Sequence, residues 1–162
     1  MATYVIGDIH SGLKALQQVL DRVGPTPKDH LIFLGDYVDS WSEAFETVDF
    51  LIALGATYQC TFLRGNHDER CRNLKLTGED NPQLLAHGGK ATKTSYQSIA
   101  KTKWKKHLDF FACLKNYHLD AENRLFLHAG FTNLKGIAYE YFEKSFYGIV
   151  HFGNWPMPWI PI

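Results

Sequence analysis

Gly7-Asp8-Ile9-His10, Gly35-Asp36-Tyr37-Val38-Asp39 and Gly65-Asn66-His67-Asp68 decide how this chain reads. Each cluster closes a run rich in strand-forming residues: Tyr4-Val5-Ile6, Leu31-Ile32-Phe33-Leu34 and residues 58–63. Each is led by a glycine, which lets the backbone turn sharply off a strand end. Between the runs, apolar residues at 13, 16, 19, 20 and 23, and then Phe45, Val48, Leu51, Ile52 and Leu54, recur at helical spacing. Gly24-Pro25 stops the first helix, and Gly55 is expected to stop the second, over 43–54. This strand–helix–strand–helix–strand order implies parallel pairing. Carboxylate, amide and imidazole groups then collect at one sheet edge, where open α/β folds place their sites. One such cluster alone is an ordinary solvated turn. Three in order, with Asp8, Asp36 and Asn66 about thirty residues apart, predict a two-metal hydrolase.

Further along, residues 74–90 read as loop and 92–114 as helix, divided in two. Tyr117-His118-Leu119 and Leu125-Phe126-Leu127 read as a hairpin around Glu122-Asn123, a switch of sheet type. At 162 residues, with 45% hydrophobic and 21% charged side chains, the chain suits one globular domain. Its net charge is zero, so no global field draws it to nucleic acid or to a membrane. The run KTKWKK, residues 101–106, reads as a solvated helix face in preference to a polyanion patch. The chain starts straight into a strand, and no apolar run reaches bilayer length. Cys60, Cys71 and Cys113 are odd in number and lack metal-type spacing, so they read as reduced thiols of a cytoplasmic protein, Cys60 and Cys113 in the core.

GDIHS, GDYVDSW and GNHDE together resemble the motif set of the calcineurin-like metallophosphoesterase superfamily. The pattern is most similar to its phosphoprotein phosphatase branch, which includes bacterial and phage serine/threonine phosphatases and symmetrical diadenosine tetraphosphatases. That branch carries G-D-x-H-G, G-D-x-x-D-R-G and G-N-H-E or G-N-H-D. A fourth element, a strand ending in histidine and a small residue, is matched by Arg124-Leu125-Phe126-Leu127-His128-Ala129-Gly130. The resemblance runs from residue 3 to about residue 147.

The resemblance implies an α/β fold in which a metallophosphoesterase β-sandwich is flanked by helices. It implies two divalent metal ions, Mn first and Fe or Zn as alternatives, since mixed oxygen and nitrogen donors suit these better than Mg or Ca. Asp8 and His10 are then ligands of the first metal, side by side on an extended segment. Asp36 bridges both ions, and Asn66 and His128 hold the second. His67 becomes the general acid facing the leaving oxygen, and Asp39 the carboxylate that holds it. His87, in His87-Gly88-Gly89, is read as a decoy, because no strand precedes it. His30, His107 and His118 show no ligand spacing. Arg64 and Arg70 flank the third cluster and are open to either phosphate binding or surface ion pairing.

Two departures from the pattern matter. Ser40, followed by Trp41, stands where the family has a phosphate-clamping arginine, and Ser11 stands where it has glycine. Residues 1–147 are read as an incomplete metallophosphoesterase domain. Residues 148–162 are read as an aberrant tail, with His151 only mimicking a ligand. That tail has three prolines, two tryptophans and no acidic or basic residue. It lacks the family's tryptophan-x-arginine and glycine-histidine-threonine elements. A one-nucleotide slide of its possible codons is compatible with a tryptophan-x-arginine string, so a frameshifted end is expected, with self-association through exposed sheet. The expected activity is dinuclear-metal hydrolysis of phosphomonoesters, with a phosphorylated protein or small phosphoester as substrate and no covalent intermediate. The alternatives are a dinucleoside polyphosphate hydrolase and an inert or scaffold protein.

Overall fold

The computed structural model describes residues 1–77, 88–97 and 99–148. Strands β1 (Thr3–Ile6), β2 (His30–Phe33) and β3 (Gln59–Phe62) form one parallel sheet in that order, joined by helices α1 (Leu13–Val23) and α2 (Ala44–Thr57). The register pairs Ile6 with Phe33 and Phe33 with Phe62, so all three strands end at the same level. Helix α3 (Asn66–Thr77) follows, then α4 (Lys90–Gln97) and α5 (Lys101–Cys113). Strands β4 (Tyr117–Leu119) and β5 (Leu125–Leu127) form an antiparallel pair. A bridge from Leu63 to Lys115 ties the exit of β3 to the approach of β4. The expected switch from parallel to antiparallel pairing is therefore present.

The strands pair where the sequence is apolar on both faces. Leu31, Ile32 and Phe33 of β2, the central strand, are fully buried, as a strand covered on both sides requires. The core gathers Leu16, Leu20, Val48, Leu51, Tyr96 and Phe111 around it. Only part of the helical stripe read for α1 is inward: Leu16 and Leu20 are buried, while Val19 and Val23 are exposed. Gly24 caps α1 in the left-handed conformation and donates its N–H to Leu20.

Gly55 does not stop α2, which continues to Thr57. A Cβ on Gly55 would lie 3.1 Å from the Phe62 ring, so this glycine lets α2 approach β3. Part of the stretch read as loop is helix, because α3 begins within the third cluster, at Asn66, and runs to Thr77. Cys71, not Cys113, is the core cysteine; Cys113 is exposed and Cys60 intermediate. Burial pushes the Cys60 thiol up to about 11. The lysines of 101–106 are exposed on α5, with ion pairs Lys105–Asp109 and Lys106–Asp49, as a solvated face requires. His107 is buried, its ring nitrogens 2.6 Å from the Tyr96 hydroxyl and 3.1 Å from Asp49 Oδ1. His87 and His151 lie outside the described residues.

Asp29 ties the first strand to the turn before β2. Its carboxylate accepts the Ala2 N–H at 2.6 Å and the Thr26 N–H and hydroxyl at 2.8 and 2.7 Å. These donors hold its pKa down at about 2. A depressed folded-state pKa adds stability above the unfolded carboxylate value, lost as pH falls from there through about 2. Asp29→Ala should therefore melt below the parent at pH 7, with the gap closing under strong acid. Paired thermal melts across pH check this, and a gap that persists at the acid end refutes it.

Candidate metal centre

The three loops that leave β1, β2 and β3 are laced together through their backbones. Ile9 and His10 donate their N–H groups to the Asp36 carbonyl at 3.1 and 2.8 Å, and Ser11 donates to Tyr37 at 2.9 Å. Trp41 returns a bond to the His10 carbonyl at 3.2 Å. Its indole stands 69% exposed at this rim. The loops after β2 and β3 touch backbone to backbone. A Cβ on Gly35 would lie 2.5 Å from Gly65 N, and one on Gly65 would lie 2.0 Å from Asp36 Oδ1. Glycine at these two positions is thus a condition of close approach. Gly7 has open space around it and no such need.

Strained backbone collects in the same loops. His10, Ser11, Asp36, Asp39 and Ser40 all have positive φ, between 48° and 74°. Such residues cost about 1–3 kcal/mol each and persist only where surroundings over-determine them. Asp8 and His10 do converge, but not along an extended segment: β1 ends at Ile6 and His10 is in a left-handed turn.

The convergence is specific. His10 Nε2 lies 3.8 Å from Asp8 Oδ2 and 3.8 Å from Asp36 Oδ2. From the end of β5, His128 Nε2 lies 3.5 Å from the same Asp36 oxygen. His10 Nδ1 is 3.1 Å from the Val38 carbonyl and His128 Nδ1 is 3.0 Å from the Leu34 carbonyl. A carbonyl only accepts, so each Nδ1 carries the hydrogen. That leaves each Nε2 as the ring atom facing the buried Asp36 carboxylate oxygen, where a cation held between them would take one donor from each. Metal–donor distances of about 2.0–2.2 Å place two donors of one ion about 3–3.5 Å apart, near the separations seen. The carbonyl bonds also orient the rings, as outer partners of metal-bound histidines do. The donor set therefore fits a divalent metal ion.

His67 opens α3 beside this cluster. Its ring lies edge-on to His10, centroids 4.9 Å apart, and a ring nitrogen comes within 4.8 Å of donor atoms of both His10 and Asp36. Its N–H donates to Asp36 Oδ1 at 3.0 Å. Its Nδ1 is 2.6 Å from Asp39 Oδ2, a bond that raises its pKa. Asp39 is fully buried; its other oxygen accepts the Thr92 hydroxyl at 2.6 Å, and Thr92 Oγ1 accepts the Asp39 N–H. Helix α4 thus fixes the carboxylate that fixes the histidine. Asn66 is the first residue of α3, between Gly65 and His67, which both touch Asp36. The structure gathers Asp8, His10, Asp36, Asp39, His67 and His128 at one point.

Asp68 is the residue that sequence reasoning missed. It is fully buried and receives three backbone N–H groups: Asp36 and Gly65 on Oδ2 at 2.8 and 2.9 Å, Tyr37 on Oδ1 at 2.8 Å. Burial and the neighbouring Asp36 charge push it up to about 8, against those donors. Its place as fourth letter of the third cluster was the available signal. Ser40 donates its N–H to Gly88 at 3.3 Å, and a cleft of about 500 Å³ opens beside it, lined also by Ser42, Lys90 and Thr94.

Known proteins share this arrangement of chain. A protein named as a serine/threonine-protein phosphatase in Schizosaccharomyces pombe is 43% identical over 68 residues, covering 41% of this chain and 22% of its own. A structure described as a diadenosine tetraphosphatase superposes with a TM-score of 0.65 at 23% identity, over 89% of this chain and 57% of that one. A protein serine/threonine phosphatase from Saccharomyces cerevisiae gives 0.58 at 21% identity, over 80% and 38%. The chain therefore spans about a fifth of that curated relative and little more than half of the first solved structure. The two structures share the fold. The family model for calcineurin-like phosphoesterases matches residues 1–155, taking in every loop that builds the cluster, and the chain belongs to that family.

Proposed function

We propose that this chain is a phosphoester hydrolase that works with two divalent metal ions, Mn first among them, on phosphomonoesters of the phosphoserine and phosphothreonine type. Family membership implies divalent metal and a phosphorylated substrate. The observation that carries the reading is the pair of imidazole Nε2 atoms facing Asp36 Oδ2 at 3.8 and 3.5 Å. Asp8 and His10 would hold one ion, Asn66 and His128 the other, and Asp36 both. Bound there, such ions neutralise phosphate charge and activate water near neutral pH. The chain's own proton chemistry belongs to His67. Asp39 Oδ2 fixes the hydrogen on Nδ1, which leaves Nε2 to deliver a proton to the departing alkoxide oxygen. No helix among the described residues is long and apolar enough to cross a membrane.

The test pairs elemental analysis with turnover. Chelator-treated chain should be inactive toward a phosphoserine peptide and regain activity with Mn, carrying two ions per chain. Asp36→Ala should lose both ions. Preferential cleavage of diadenosine tetraphosphate would move the substrate assignment to dinucleoside polyphosphates. A chain that binds no metal and hydrolyses neither substrate is the inert alternative.

A further inference from the structure

We infer that Arg70 is the phosphate-binding cation of this site, gripping the non-bridging oxygens of the phosphoryl group; this rests on the phosphoesterase reading above. The chain has five arginines, at 22, 64, 70, 72 and 124. Arg64 is engaged: it donates to the Leu114 carbonyl at 3.2 Å, pairs with Glu69 at 3.5 Å and lies over the Tyr147 ring. Arg124 is spent on the hairpin, with Asp120 and Glu122. Arg22 is exposed in the last turn of α1.

Arg70 is different. It is half-buried, and among the described residues it makes no hydrogen bond or ion pair; Arg72 is alike in both respects, and position on α3 separates the two. A guanidinium with no protein acceptor keeps its N–H donors available to an external anion. Its place in α3 says where that anion lies. Arg70 is three residues after His67, about 60° around the helix and one turn on, the spacing at which side chains share a face. His67 reaches the Asp36–His10 cluster from that face. Arg72, two residues further, turns to another side of α3.

The chemistry matches. A phosphomonoester is close to a dianion at neutral pH, and a planar guanidinium meets two of its oxygens in parallel. Ser40 contributes a hydroxyl and no charge to this rim. Lys90, exposed in the cleft beside Ser40, is the competing cation.

The experiment titrates inorganic phosphate into the Mn-loaded chain by calorimetry, beside KM and kcat for a phosphomonoester. Arg70→Ala should weaken phosphate about 10- to 100-fold and raise KM, with metal content and melting temperature unchanged. Arg70→Lys should recover part of the affinity, since a point charge keeps the attraction and loses the fork. Arg72→Ala and Lys90→Ala should bind phosphate as the parent does. Unchanged binding in Arg70→Ala overturns the inference while leaving the hydrolase reading intact. So does loss of binding in Lys90→Ala in its place, or loss of metal in Arg70→Ala. A parent chain that holds Mn yet binds no phosphate overturns both readings.

Discussion

Replacing His67 by Ala should lower kcat on alkyl phosphoesters by about 10²–10⁴, the range that positioned general acid catalysis supplies. The geometry behind this is a couple with one free end. Asp39 is buried, held by Thr92, and 2.6 Å from His67 Nδ1, so the opposite nitrogen is the one available to substrate. The loss should shrink for aryl phosphates, whose leaving groups depart with little help from a proton. Equal losses on both substrate classes would remove His67 from the leaving group. A pH profile separates this from a positional defect. Asp39 raises the His67 pKa, so the acid form persists to higher pH and activity falls only as pH rises through that value. Asp39→Asn removes the charge and should move the alkaline fall to lower pH. A fall that stays in place with Asp39→Asn refutes the coupling.

How much of this was legible before the structure depends on what each residue depends on. The parallel strands were readable because Leu31, Ile32 and Phe33 are apolar without alternation, and a central buried strand demands that. Convergence of the clusters followed, since strands in register end together. The start of α3 was not readable. Asn66-His67-Asp68-Glu69-Arg70 carries no apolar period, because its inward side faces polar loops; Asp68 there meets backbone N–H groups where another helix would meet leucine. Gly55 was misread because a glycine that permits contact and one that ends a helix look alike in sequence; only the Phe62 ring 3.1 Å away distinguishes them. The left-handed conformations of His10 and Asp36 were equally hidden. They are imposed by hydrogen bonds between loops far apart in sequence, not by any local preference of histidine.

That dependence on long-range bonds makes Asp68 a position where substitution should cost the fold heavily. Asp68→Ala should destabilise the chain by about 3 kcal/mol or more, since it orphans three buried N–H groups at about 1–3 kcal/mol each. Asp68→Asn should cost less. Its amide oxygen can still take the Asp36 and Gly65 N–H groups, and only the Tyr37 donor then faces an NH₂. The order Ala worse than Asn worse than parent follows from hydrogen-bond geometry, and urea denaturation measures it. The effect should also reach the site. Asp68 ties the loop bearing Asp36 to the loop bearing Asn66 and His67, so both variants should hold metal more weakly while Asp8, His10 and His128 remain in the chain. Metal content measured under conditions where each variant is still folded tests that link. Charge gives a further check on sign. In the metal-free chain, repulsion from Asp36 and burial raise the Asp68 pKa to about 8, so its ionisation costs stability as pH rises from the ordinary carboxylate range through that value. A dication held by Asp36 cancels the repulsion. Mn should therefore raise the melting temperature more at pH 8 than at pH 5, in part because histidine ligands bind metal only without their proton, and this extra gain should be smaller in Asp68→Asn, which has no charge to repel. An extra gain of equal size in the parent and in Asp68→Asn would mean that the Asp36–Asp68 repulsion has no part in setting the stability of the site.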